Sequence, residues 1–68
     1  MVLRLKGEYI KLGQALKAMN LVEMGSDAKE VIQNGEVFVN GEQELRRGRK
    51  LVPGDVVAFN GEHIEIIG

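Results

Sequence analysis

The chain contains no cysteine and one histidine among its 68 residues. Without cysteine, neither disulfide bonds nor thiolate ligands can support the fold or a metal site. His63 has no partner at the spacing of a metal site or a catalytic triad, and no glycine-rich nucleotide-binding loop is present. A chain of this length also buries too small a core to surround a deep cleft. We therefore expect a protein that is not an enzyme and that uses no cofactor or metal.

Aromatic residues are scarce, and long apolar runs are absent. Tyr9, Phe38 and Phe59 are the only aromatic residues, so recognition of successive single-stranded bases by stacking is not favoured. No segment approaches the ~20 apolar residues that span a bilayer. The opening stretch "MVLRLKGEYI" lacks the apolar core of a signal peptide. We expect a cytoplasmic protein that makes no membrane contact.

The net charge is only −1, but the charges are unevenly distributed. Residues 1–34 carry five basic and four acidic side chains, and residues 35–50 carry four and three. Residues 51–68 carry three acidic side chains and no lysine or arginine. Because local potential decides whether a polyanion binds, a positive face is compatible with this small total charge.

The spacing of apolar residues changes along the first half of the chain. "VLRLKG" alternates apolar and charged residues and predicts a short strand. Apolar residues then recur at the spacing of one helical face over residues 12–19. A second helix is predicted to begin at a cap formed by Ser26 or Asp27.

Two Asn-Gly pairs in the second half predict β-hairpins. Asn40-Gly41 and Asn60-Gly61 each lie between apolar or alternating runs, and this dipeptide tolerates the positive φ values of a tight turn. We expect both helices to pack on one face of the resulting sheet. The predicted core comprises Leu12, Leu16, Met19, Ala28, Val31, Ile32, Val37, Val39 and Val56.

This pattern resembles a known family over about residues 10–59. The stretch "IKLGQALKAMNLVEMGSDAKEVIQNGEVFVNGE" and the later "LVPGDVV" resemble the RNA-binding domain named after the fourth protein of the small ribosomal subunit, called the S-four domain here. The resemblance implies an α+β fold, in which two packed helices lie against a small, mainly antiparallel sheet, the alpha-L RNA-binding motif. The chain looks like the short, free-standing bacterial members, so residues 1–68 are expected to form a single S-four-like domain.

The resemblance also implies where the site lies. Lys11 stands where the family has a basic residue opening the first helix, and Ser26 and Lys29 stand at polar and basic positions of the second. Gly13 and Gly25 depart from the family pattern, which has an acidic residue and an arginine at these positions. We therefore expect the helices to supply less positive charge than in larger relatives, and the loop after them to supply more.

That loop is the stretch "ELRRGRKLVPGD", which concentrates four of the nine basic residues. One interpretation is a solvated loop whose arginines form exposed pairs with Glu42 and Glu44, which contribute little to stability. The other is a phosphate site, since arginine offers a planar fork that matches phosphate oxygens and glycine lets the backbone approach. The resemblance favours the second interpretation. The cluster comprises Arg46, Arg47, Arg49 and Lys50.

We predict a non-catalytic, monomeric protein that binds structured RNA, either ribosomal RNA or transfer RNA, mainly through phosphate contacts and in association with the ribosome. The alternative is a protein-interaction module that docks a partner through its acidic C-terminal third or its sheet edge. DNA binding through the same loop is a third hypothesis. Convergence of the basic residues on one face would favour RNA, and scattering would favour a protein partner. The predicted contact residues are Lys11, Ser26, Lys29, Arg46, Arg47, Arg49 and Lys50.

Overall fold

Two helices near the start of the chain are followed by a run of short strands. A computed structural model describes residues 1–68. The elements in chain order are β1 (Val2–Arg4), β2 (Ile10–Lys11), α1 (Leu12–Ala18), α2 (Gly25–Gln33), β3 (Val37–Val39), β4 (Glu42–Gln43), β5 (Lys50–Leu51), β6 (Val56–Phe59) and β7 (Glu62–Ile67). Neither helix has the length or the apolar character to cross a membrane.

Five of the strands form one sheet in the order β1-β7-β6-β3-β4, and β2 pairs with β5 in a separate two-stranded sheet. The pairs are antiparallel except for β1 with β7, where Val2 lies beside Glu65 and Arg4 beside Ile67. The fold is therefore α+β with a mainly antiparallel sheet, and the predicted fold class is confirmed.

The two predicted hairpins are present, with two-residue turns. Asn40 and Gly41 have φ values of 53° and 83°, and Asn60 and Gly61 have 51° and 80°. Positive φ at both central residues is the conformation that matches the right-handed twist of the flanking strands. The first turn joins β3 to β4 and the second joins β6 to β7.

The core lies between the helices and one face of the five-stranded sheet. Val37 and Val39 face it as predicted, but the prediction that Val56 does so is wrong. Val57 and Phe59 are the buried residues of β6. Because "VVAF" is apolar at every position, its pattern does not fix which alternate residues point inward. The buried apolar residues are Leu12, Ala15, Leu16, Ala28, Ile32, Val37, Val39, Leu51, Val57, Phe59, Ile64 and Ile66, with Met19 and Val31 half-buried beside them.

The second helix begins earlier than the capping pattern predicted. Its N-cap is Met24, so neither Ser26 nor Asp27 occupies that position. Asp27 instead lies at the third helical position, where its Oδ2 accepts a hydrogen bond from the Met24 backbone N–H at 3.2 Å. A carboxylate in the first turn also interacts favourably with the positive end of the helix dipole. This start places Lys29 in the second turn.

Candidate functional site

The arginine-rich loop between β4 and β5 is fastened to the start of α1. The Leu12 N–H donates to the Arg49 carbonyl at 2.8 Å, and the Gly13 N–H donates to the Arg47 carbonyl at 3.1 Å. A helix start leaves its first backbone N–H groups without intrahelical partners. The Arg47 and Arg49 carbonyls accept hydrogen bonds from two of these groups. The loop and the first helix therefore form one surface.

Beneath this loop lies a buried carboxylate, Glu44. Its Oε2 accepts from the backbone N–H and the Nε–H of Arg46, each at 3.0 Å. Its Oε1 accepts from Arg46 Nη2 and Arg49 Nη1, again at 3.0 Å. Hydrogen bonds from the Arg46 side chain lower the pKa of Glu44 from 4.5 to about 2, although burial acts in the opposite direction. Glu44 is thus ionised at neutral pH and orients both guanidinium groups.

The alternative interpretation, in which the arginines pair with Glu42 and Glu44, is right for Glu44 alone. The expectation that such pairs are exposed is wrong for this one, because only 6% of Glu44 is accessible to solvent. A buried carboxylate that loses a partner pays a desolvation cost that an exposed one does not. The Arg46 side chain therefore stabilises the fold, and it also contributes positive charge to the surface.

A shallow concavity of about 370 Å³ opens where α1, the start of α2 and the loop meet; we call it the helix concavity. Lys11, Lys17 and Arg47 line it, and no acidic side chain does. The absence of side chains at Gly13 and Gly25 leaves the space: a Cβ on Gly13 would lie 2.7 Å from Arg47 Cγ, whereas Gly25 has no atom within 4 Å of that position. The two departures from the family pattern therefore give this surface its depth.

A second concavity adjoins the first at Gly48, which lines both, and is lined only by loop and β5 residues; we call it the loop concavity. Its three cations add to the three of the helix concavity, so six of the nine basic residues of the chain line two adjoining hollows. The carboxylate among them, Glu44, is buried below. We call this surface the basic face, and it comprises Lys11, Lys17, Arg46, Arg47, Arg49 and Lys50.

Two lysines of the basic face are direct cross-strand neighbours. Lys11 of β2 lies opposite Lys50 of β5, and both are exposed. Like charges at directly opposite positions of an antiparallel pair destabilise it. An anion bound between the two ammonium groups would turn this repulsion into attraction.

The structure separates the predicted contact residues into two groups. Lys11 meets the four basic residues of the loop on the basic face. Ser26 and Lys29 are exposed on α2 but line neither concavity. Their predicted contacts remain predictions, and any ligand that used them would extend beyond the basic face.

Lys17 is not among the predicted contact residues, yet it lines the helix concavity. The signal was present in the spacing, because Lys17 follows Gly13 by four residues and so lies on the same side of α1. The spacing alone does not show that Gly13 forms part of a surface, so it does not by itself indicate a role for Lys17.

The basic face has the chemistry to bind an extended anion. Its six cations come from four different segments, namely α1, β2, β5 and the loop, so the face can contact more than one phosphate group. No group of three or more histidine, aspartate or glutamate side chains is placed to hold a metal ion. A polyanion with several phosphates matches this arrangement of arginine forks and lysine ammonium groups.

Comparison with known proteins gives a consistent family. A protein of Bacillus subtilis (strain 168) named "Probable ribosome maturation protein RlbA" is 48% identical over 54 residues, which cover 79% of this chain and 76% of that protein. "Putative RNA-binding protein YbcJ" of Escherichia coli (strain K12) is 34% identical over 62 residues, 91% of this chain and 89% of the relative.

The fold is similar to the solution structure of YbcJ from E. coli, which is described as revealing an alpha-L motif involved in RNA binding. The TM-score is 0.75 at 32% sequence identity, over 98% of this chain and 86% of the YbcJ chain. The family model described as the S4 domain matches residues 3–67. The chain therefore belongs to the S4 domain family, which is the family that its sequence resembles.

Proposed function

We propose that the protein binds structured RNA through its basic face and catalyses no reaction. The observation that carries this proposal is the convergence of six cations on two adjoining hollows that no acidic side chain lines. Membership of the S4 domain family and the RNA-binding descriptions of its relatives support the same function. In this proposal, residues 1–68 act as one RNA-binding domain.

Phosphate groups are the proposed main contacts. Arginine forks and paired lysines suit phosphate oxygens, and only three aromatic residues are present in the chain. Folded RNA presents phosphates and 2′-hydroxyls in a fixed geometry that such a surface can recognise by shape. The repulsion between Lys11 and Lys50 also favours an anion, because a phosphate between them would relieve it.

We further propose that the RNA is ribosomal, and that the protein acts as a monomer in the cytoplasm. The relative from B. subtilis supports the choice over transfer RNA, since its name refers to ribosome maturation. The basic face is formed within one chain, which supports action as a monomer. Crosslinking in cells followed by sequencing of the bound RNA tests the identity of the partner.

The decisive in vitro experiment titrates hairpin fragments of ribosomal RNA into the protein at several salt concentrations. With about five phosphate contacts, each releasing roughly 0.7–0.9 ions, the plot of log affinity against log salt should slope near −4. The double variant Lys11→Ala/Lys50→Ala should bind about 2–3 kcal/mol more weakly, because two charge-assisted contacts are lost at partly exposed positions. Its slope should flatten by about two units.

The matched control is Arg4→Ala/Lys6→Ala, which removes the same charge from two exposed cations outside both concavities. It should retain nearly wild-type affinity. Equal losses for the two double variants would mean that overall charge, rather than the basic face, holds the RNA. A flat salt dependence, or no affinity for RNA at about 100 mM salt, would favour the protein-interaction alternative.

A further inference from the structure

Tyr9 is an exposed aromatic side chain at the border of the basic face. It lies immediately before β2, and 43% of it is accessible to solvent. The other two aromatic residues are elsewhere: Phe59 is in the core, and Phe38 points to the sheet face away from the helices, since its neighbours in β3 face the core. Tyr9 is therefore the one aromatic ring beside the proposed phosphate contacts.

The ring is held next to a cation of the basic face. Lys50 Nζ lies over the Tyr9 ring, 4.8 Å from its centroid, which is within the range of a cation–π contact. The register of β2 and β5 explains the approach. Lys50 is opposite Lys11, and Tyr9 precedes Lys11 by two residues, so Tyr9 and Lys50 are diagonal neighbours on one side of the small sheet.

This arrangement combines a stacking surface with two phosphate-binding cations. A phosphate between Lys11 and Lys50 would bring its own nucleotide within reach of Tyr9. A base in an uninterrupted duplex is already stacked on both faces by its neighbours, so it cannot stack on a protein side chain as well. Bases of bulges, loops and junctions can be splayed out and stack on aromatic side chains.

We propose that Tyr9 stacks on a single unpaired base of the bound RNA, so that the preferred RNA is a helix interrupted by a bulge or junction rather than a continuous duplex. The inference rests on the proposed function, because it assigns the base that accompanies the phosphates at Lys11 and Lys50. One aromatic ring reads one base, which agrees with the scarcity of aromatic residues. Tyr9 then determines which RNA is preferred, and the cations supply most of the affinity.

The chain offers a direct optical readout of this contact. Tyr9 is its only tyrosine, and it contains no tryptophan, so tyrosine fluorescence reports one ring. Three RNAs with the same stem and identical closing loops are titrated: a continuous hairpin, the same hairpin with a one-nucleotide bulge, and the bulged hairpin whose extra nucleotide lacks its base. The third RNA keeps the extra phosphate and removes only the stacking partner.

The bulged RNA should bind the wild-type protein about tenfold more tightly than the other two, within the range that substitution of a stacked aromatic produces. It should also quench the tyrosine emission more strongly than they do. Tyr9→Ala should lose the preference and bind all three RNAs about equally. Tyr9→Phe, which keeps the ring, should retain the preference. Both variants should remain folded, because Tyr9 is not part of the hydrophobic core and 43% of it is accessible to solvent.

The possible failures are distinguishable. Failure of the wild-type protein to bind any of the three RNAs would overturn the proposed function, and this inference with it. Salt-dependent binding that is equal for the three RNAs, or a preference that survives Tyr9→Ala, would overturn the stacking role while leaving RNA binding through the basic face intact.

Discussion

Replacing Glu44 by glutamine tests whether the buried carboxylate organises the arginine loop. The variant keeps the shape of the side chain but removes the charge that accepts four hydrogen bonds from Arg46 and Arg49. The Glu44 pKa of about 2, against 4.5, corresponds to about 3 kcal/mol of stability at neutral pH. The Arg46 side chain is 75% exposed, so water screens part of this interaction and we expect a loss of about 2 kcal/mol.

For a domain of this size, that loss lowers the melting temperature by roughly 8–16 °C. The pKa of Glu44 is depressed in the folded state, so its contribution is fully present above about pH 4.5 and is lost as the pH falls towards about 2. The difference between wild type and Glu44→Gln should therefore shrink over that interval. Thermal unfolding followed by far-UV circular dichroism at a series of pH values measures both effects.

Glu42→Gln is the matched control, since Glu42 is exposed and forms no ion pair, and the charge change is the same. It should melt close to the wild type throughout. The reasoning is refuted if the two glutamine variants melt at the same temperature at neutral pH. A gap between them that stays constant down to about pH 2 would also refute it.

Two further changes separate the core from the binding surface. Leu16→Ala removes a fully buried side chain and should cost about 2–5 kcal/mol in urea unfolding, whereas an unchanged midpoint would show that the helix does not pack as described. Gly13→Ala should stay within about 1 kcal/mol of wild-type stability, since alanine favours the helix, yet bind RNA several-fold more weakly because the new Cβ would lie 2.7 Å from Arg47 Cγ. Wild-type affinity in that variant would show that Arg47 does not need its present position.

Features that depend on neighbouring residues could be predicted from the sequence. The hairpins at Asn40-Gly41 and Asn60-Gly61 follow from the backbone preferences of two adjacent residues, so the turn type and the register of the flanking strands are specified locally. The face of α1 that enters the core follows likewise from the helical spacing of its leucines.

Features that depend on long-range packing could not be predicted from the sequence. The burial of Glu44 results from the loop folding back over it, and nothing in the local sequence "GEQELRR" distinguishes it from the exposed Glu42. The pairing of Lys11 with Lys50 arises from strands of only two residues, too short for a recognisable period. The sequence thus predicted the candidate site as a set of cations. Its concavities and the buried Glu44 carboxylate depend on the fold and could not be predicted.

The parallel pairing of β1 with β7 has a consequence for the order in which the chain folds. The two hairpin turns connect strands through two residues, whereas Val2 meets Glu65 across almost the whole chain. Closing the longer loop costs more conformational entropy, although the cost grows only with the logarithm of the length, and this cost is recovered only when the partner strand is already in place. During synthesis β1 emerges before the other strands of its sheet but has no partner until β7 has emerged. We therefore expect β1 to be among the last strands of the sheet to become ordered.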